Sequence, residues 1–358
     1  MTMSKLNDLA RASFARHETF APRVGWLHKA YLSVKDDPET FLKEDATVRL
    51  GVGKNMVNAI RFWSQAFKLT EEHAKGGNSR ANVASPTWQA RWLLDETGAD
   101  PYLQDPGSLW LLHWWLLSPT SHAPSWWLAF NALPTSRFTE RELTNLIVRQ
   151  AKLAGWDVMR SSIERDADCL TKMYAPRRAT ANSPGSFEDL LGCPFRELGL
   201  IESMGKTSSG DERVWRVTTT ARTSLPAKVL AYACLDYAAR ETRSSGSVST
   251  ARLANEPGAP GRAFVQREPE LFRALEVVCA EFPALRISEA VGNRTLVFDG
   301  DPYSLAWDVL DSHYGNLRQS SGFPTEAEWE QRYPGLAAAR TRESAVDGQV
   351  QIRQEVAV

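Results

Sequence analysis

A mainly α fold with small β-hairpins, assembled from several modules, is what this sequence predicts. Three observations carry it. Val57, Ile60, Trp63 and Phe67 recur at spacings of three and four, the period of a helix with one buried face. Strand-like runs, by contrast, are short: Leu285 to Ser288 and Thr295 to Phe298 flank Gly292-Asn293 as a hairpin would. At 358 residues the chain exceeds one simple core, and a prior of roughly 100 to 200 residues per domain predicts more than one.

In chain order, a helix is expected from Gly25 to Asp36, a break at Asp37-Pro38, a short helix from Glu39 to Glu44, and Asp45 as the N-cap of Asp45 to Leu50. Gly51-Val52-Gly53 makes a turn into a longer helix ending near Phe67. Glu71 to Pro86 is polar and carries Gly76-Gly77-Asn78-Ser79, the composition of a wing, and an aromatic helix follows from Trp88 to Glu96. This is winged helix-turn-helix order, expected over residues 1–104. Residues 105–187 read as a helical middle rich in aromatics, Trp110, Trp114, Trp115, Trp126, Trp127 and Phe130. With no Lys or Arg interleaved, they suit a core better than a base-stacking platform.

A second winged-helix-like unit is expected over 188–318. Its elements are a strand from Val214 to Thr219, helices from Pro226 to Glu241 and Val248 to Asn255, a turn from Glu256 to Gly261, helical sequence to Glu281, and the hairpin. Residues 319–358 read as a mobile acidic tail, since residues 301–358 hold five Arg against nine Asp and Glu.

Composition narrows the function classes. No run of about 18 uncharged apolar residues exists; Leu109 to Leu117 is the nearest approach, so no membrane contact is expected. The N-terminus lacks a secretory h-region, and a cytoplasmic location follows as the expectation. Cys169, Cys193, Cys234 and Cys279 form no C-x-x-C pair, so neither zinc nor an iron-sulfur cluster is expected. Gly51-Val52-Gly53-Lys54 lacks the remaining residues of a phosphate-binding loop, and no nucleotide cofactor is expected. Net charge is −1, but residues 45–68 carry four cations against one anion, which points to a focused nucleic-acid contact.

That contact is expected on the stripe opposite the core face: Lys54, Asn58, Arg61 and Gln65. Arg can pair bidentately with guanine, Asn or Gln with adenine, and Lys with phosphate, while helix N-terminal amides hold another phosphate. Arg49, Asn55 and Arg23 complete the candidate DNA-binding set, with a local cap as the other role for Asn55. An ordinary solvated helix face is the competing account.

Several blocks resemble a bacterial family catalogued as a domain of unknown function, the SspB-like family. They are His17-Glu18-Thr19-Phe20, Pro22-Arg23, Gly25-Trp26, Leu50 to Val57, Ile60 to Trp63, Asp166 to Cys169, Glu188 to Pro194, Leu198 to Ile201 and Pro260 to Phe264, spanning about residues 14–315. The resemblance implies membership of a DNA phosphorothioation cassette of antiphage defence, with an ATPase, a reductase-like sulfur-transfer enzyme and a cysteine desulfurase as partners. It further implies a DNA nickase, an endonuclease that breaks one strand for sulfur incorporation. A non-catalytic DNA-binding adaptor or transcriptional regulator is the alternative.

Nicking needs an activated nucleophile and charge neutralisation at the phosphate, commonly by Mg2+ or Mn2+ on carboxylates. No nuclease motif is present. Glu164, Asp166 and Asp168 could form a metal site, although Lys172 sits at salt-bridge spacing from Asp168. His17 and Glu18 beside Arg23 offer a base, a carboxylate and a clamp. Tyr174 with Arg177 and Arg178 offers a nucleophile and clamp, against a packing role.

Overall fold

A computed structural model describes residues 3–75, 81–175, 192–219, 222–241, 246–290, 292–320 and 322–333. Among these, helices dominate and short strands pair antiparallel in three small sheets. The fold is thus mainly α with small hairpins. The chain divides into two compact units, one formed by Met1–Gly25 with Leu103–Asn316, the other by Trp26–Tyr102 with the described part of Leu317–Val358. No described helix is long and apolar enough to cross a membrane.

The smaller unit contains α2 (Trp26–Asp36), α3 (Ala46–Leu50), α4 (Lys54–Ala66), β1 (Thr70–Ala74), β2 (Asn82–Pro86) and α5 (Trp88–Leu94). α3 stops at Gly51, whose φ of 61° turns its N–H back to Thr47 O and Val48 O. Extended Gly53 then opens α4, whose Val57, Ile60, Trp63 and Phe67 are all buried, as their spacing requires. Each large apolar side chain so buried contributes roughly 1.5 to 3 kcal/mol. β1 and β2 pair in register from Thr70↔Pro86 to Ala74↔Asn82, and Thr87 caps α5 through Ala90 N–H at 3.2 Å. The Gly76 to Ser79 tip lies outside the described residues.

Three expectations here are corrected. Residues 39–44 form turns instead of a helix, because the Asp37 carboxylate accepts Glu39 N–H at 3.0 Å and pairs with Lys43 and Arg49, giving the backbone a local alternative to helix. Asp45 occupies the N-cap position of α3 but its side chain makes no cap hydrogen bond. Within the segment expected to be a mobile tail, Glu326–Arg332 forms a capped helix. Its Trp329 indole N–H donates to Pro86 O at 2.8 Å, and Trp88 returns the contact to Pro324 O at 3.0 Å. An indole buried with its N–H satisfied anchors a helix too short to persist alone.

The larger unit begins with α1 (Met3–Leu9) and resumes with α6 (Pro106–Leu117) and α7 (Pro124–Asn131). α6 is apolar around its whole circumference and is correspondingly buried throughout. Trp110, Trp114, Trp115, Trp126, Trp127 and Phe130 are core residues. The first three donate their indole N–H groups to Ser224 Oγ, Asp236 Oδ2 and Tyr232 Oη at 3.1, 2.6 and 3.0 Å.

Two stretches then follow similar paths, from a strand through helices to a hairpin that pairs with it. In the first, α7 leads to β3 (Arg137–Thr139), α8 (Glu140–Leu153), α9 (Arg160–Tyr174) and the hairpin β4 (Ile201–Lys206) with β5 (Arg213–Val217), in sheet order β3-β5-β4. In the second, α10 (Ala227–Glu241) leads to β6 (Ser247–Ser249), α11 (Thr250–Asn255), α12 (Pro260–Ala263), α13 (Glu268–Glu281) and the hairpin β7 (Leu285–Ala290) with β8 (Asn293–Phe298), in order β6-β8-β7. Both first strands run directly into a capped helix: Thr139 with Glu142 forms a capping box, and Ser249 Oγ accepts Arg252 N–H. α14 (Pro302–His313) follows the second stretch. The expected helix at Val248 to Asn255 is therefore split between β6 and α11.

Candidate nucleic-acid interface

α4 presents Lys54, Asn55 and Asn58 exposed and Arg61 and Gln65 half-buried, on the face opposite its core stripe. Its N-cap is a glycine with no side-chain hydrogen bond, so the first amides of the helix have no capping oxygen and suit an anion. Down the same face the character changes. Glu72 of β1 accepts both Arg61 Nε–H and Gln65 Nε2–H on one oxygen, each at 2.5 Å. The sequence spacing placed Arg61 and Gln65 correctly but did not disclose this shared carboxylate, which arrives only when β1 folds back beside α4.

Arg49 in α3 is likewise engaged, donating to Asp37 at 2.5 Å and lying 3.6 Å from Asp36. The hydrogen bond from Lys43, opposed by partial burial and reinforced by Arg49, holds the Asp37 carboxyl down at about 2. Lys29 Nζ donates to Leu50 O at 2.9 Å, satisfying the C-terminal end of α3. The N-terminal half of the α4 face is thus exposed, and its C-terminal half is clamped.

In the larger unit, the proposed carboxylates do not converge. Glu164 pairs with Arg160 at 3.0 Å and Asp168 with Lys172 at 2.5 Å on the solvent side of α9, while Asp166 points into the interior. Four residues apart the helix has turned just past a full circle, but two apart it faces the other way. Asp166 instead meets His17. Asp166 Oδ1 accepts Ala15 N–H at 2.7 Å and His17 Nε2–H at 2.9 Å, and Oδ2 accepts Ser125 Oγ–H at 2.5 Å. Thr19 N–H donates to His17 Nδ1 at 3.0 Å, which places the ring proton on Nε2. Left-handed backbone at Ala15, Glu18 and Thr19 folds the segment so that this ring turns inward. His17, Asp166 and Ser125 are at most 1% exposed, so the cluster ties the N-terminal segment to α7 and α9 out of reach of a phosphodiester.

Glu18 is half-buried, and the Arg23 guanidinium stacks over Phe20 at 5.8 Å. Tyr174 is fully buried and donates to His113 Nδ1 at 2.7 Å, while His113 Nε2–H donates to Ala263 O at 2.9 Å. Burial raises the Tyr174 hydroxyl well above its ordinary range and lowers His113 to about 4, the reverse of what a nucleophile needs. Arg177 and Arg178 lie outside the described residues. Burial also pushes the Cys193 thiol up to about 12, and Cys169 and Cys234 are buried as well. Among the described residues no group of three or more His, Cys, Asp or Glu is placed to hold a metal ion.

A family profile described as "Protein of unknown function (DUF4007)" matches residues 14–314. No curated protein sequence matches the chain. Two solved structures do. One, described as "Magnesium ion-bound SspB crystal structure", is 57% identical with a TM-score of 0.88, covering 95% of this chain and 98% of that one. The other, "SspB crystal structure", is 56% identical with a TM-score of 0.87 over 95% and 98% of the two chains. With the profile spanning nearly all of the chain and both solved relatives matched end to end at more than half identity, this protein belongs to the DUF4007 family, as an SspB-like member.

Proposed function

We propose that this chain is the DNA-binding member of a bacterial phosphorothioation system. In this reading α3, α4 and the β1-β2 hairpin act as a winged helix-turn-helix that meets DNA. The observation that carries it is the exposure of Lys54, Asn55 and Asn58 at the N-terminal end of α4, whose glycine N-cap brings no side-chain oxygen to the first amides. The two stretches of the larger unit in which a strand leads through helices to a hairpin that pairs with it support it, since winged helices close in that way. Lys54→Ala should weaken duplex binding more than Arg61→Ala, because Arg61 already spends its Nε–H on Glu72. Fluorescence anisotropy with a labelled duplex checks this, and equal or absent losses for both variants sink the assigned face.

We further propose strand nicking, the activity that the sequence resemblance implies; one of the solved relatives is named as magnesium-bound. The described residues offer no three-ligand cluster for Mg2+ or Mn2+, so no step is assigned to a metal here. Supercoiled plasmid incubated with the protein and Mg2+ or Mn2+, against EDTA, tests the activity. Open-circular product that disappears with EDTA supports a nickase. Its absence leaves an adaptor that brings the ATPase and sulfur-transfer enzymes to DNA.

A further inference from the structure

The segment Pro260-Gly261-Arg262-Ala263-Phe264 has no role in the contacts proposed above, yet it is held in place with unusual care. A side chain at Gly261 would come within 2.4 Å of the Ala254 backbone, so α12 packs directly on the end of α11. Gln266 N–H then closes α12 onto Gly261 O at 2.8 Å through Val265, whose φ of 54° is unfavourable for a β-branched residue. The outcome is to fix Arg262 in the wall of a cleft of about 290 Å3, near the roughly 300 Å3 at which small-ligand sites begin. Phe130, Thr135, Asn255, Gln266 and Glu268 also line it.

Arg262 is half-buried and lacks what a desolvated guanidinium ordinarily has. Its one hydrogen bond among the described residues goes from Nη2 to Asn131 O at 2.9 Å, its buried Nε–H has no acceptor, and no described carboxylate pairs with it. Arg222, bonded to Gly199 O, Thr218 Oγ1 and Thr218 O and reaching Phe264 O at 3.4 Å, is a second half-buried cation beside this segment, with no carboxylate partner among the described residues. Two half-buried cations whose bonds go only to neutral oxygens would each be stabilised by an anion. The one carboxylate in the wall, Glu268, is occupied in accepting Thr250 Oγ1–H at 2.6 Å. Leu133 and Pro134 add apolar lining, and the Gln266 side-chain amide makes no hydrogen bond among the described residues, so it can read a base edge.

We propose that this cleft holds one nucleotide unit, its phosphate on the Arg262 guanidinium and its base on the apolar lining beside Gln266. The unit is either a free mononucleotide or a nucleotide turned out of a DNA strand; only the second source rests on the DNA-binding function proposed above.

Calorimetry on the full chain at low salt, with deoxyadenosine monophosphate, deoxyadenosine and inorganic phosphate as probes, tests it. The monophosphate should bind, with the nucleoside weaker by about tenfold or more, the value of one charge-assisted pair. Arg262→Gln should lose about the same factor, Arg262→Lys should retain part, and Lys54→Ala should change nothing. If Arg262→Gln unfolds by circular dichroism, Gln266→Ala serves in its place and must weaken the monophosphate but not inorganic phosphate. A duplex carrying 2-aminopurine at a mismatch separates the sources: a fluorescence rise with wild type but not with Arg262→Gln assigns the strand, and none assigns the free nucleotide. Equal monophosphate affinity in wild type and Arg262→Gln, or none in wild type, overturns the proposal. Monophosphate binding by a protein that ignores duplex DNA would instead remove only the α4 reading.

Discussion

Glu72→Gln should strengthen duplex binding. In the folded protein one Glu72 oxygen takes both Arg61 Nε–H and Gln65 Nε2–H, so the two groups best suited to base or phosphate contact in the lower half of α4 are held by a carboxylate that itself repels DNA. The amide removes the charge and keeps an acceptor for one donor. Releasing Arg61 to one phosphate steepens the slope of log K against log salt by about 0.9, which relative to 1 M salt is roughly eightfold in affinity at 0.1 M. The cost to stability is small, about 1 kcal/mol or less, because Arg61 and Glu72 side chains are 30% and 16% exposed and the pair is partly screened. Anisotropy titrations of wild type and variant at four salt concentrations give both numbers. Unchanged affinity and slope, or weaker binding, would refute the assignment of this face to DNA.

Asp166→Ala should destabilise the protein by about 3 to 5 kcal/mol in urea unfolding, because Ala15 N–H, His17 Nε2–H and Ser125 Oγ–H all lose their acceptor in the interior. A loss below 1 kcal/mol would contradict the buried cluster. Gly261→Ala should cost about 1 to 3 kcal/mol, since the added methyl meets the Ala254 backbone at 2.4 Å, and an unchanged melting temperature would show that α12 does not pack as described. Asp37 is depressed from 3.8 to about 2, chiefly by Lys43, so its contribution is present above pH 3.8 and lost as pH falls through 2. Asp37→Asn should flatten the decline in unfolding free energy over that window, and identical pH profiles would contradict the ion pair.

Periodicity made the long helices legible. α4 follows its three-and-four spacing, α10 its run from Pro226, and the β7-β8 hairpin its Gly-Asn turn, because in each case many residues vote for one local geometry. Short elements lacked that redundancy. β3 and β6 have three residues each, too few for an alternation to register, and they exist because β5 and β8 supply partners. The sequence also could not separate Glu164 and Asp168 from Asp166, since helical spacing shows which residues share a face but not which face another segment covers.

Sequence by itself determined that the chain is mainly helical, that α4 has one apolar and one polar stripe, and that the tryptophans of α6 form a core. Those properties follow from local spacing and from apolar residues leaving water wherever they stand. Only the tertiary structure decided that Glu72 clamps Arg61 and Gln65, that His17 is spent on Asp166 and Ser125, and that Arg262 faces a cleft without a counter-ion. Each of these joins residues on different elements, and a charge acquires its partner, or is left without one, only when those elements meet.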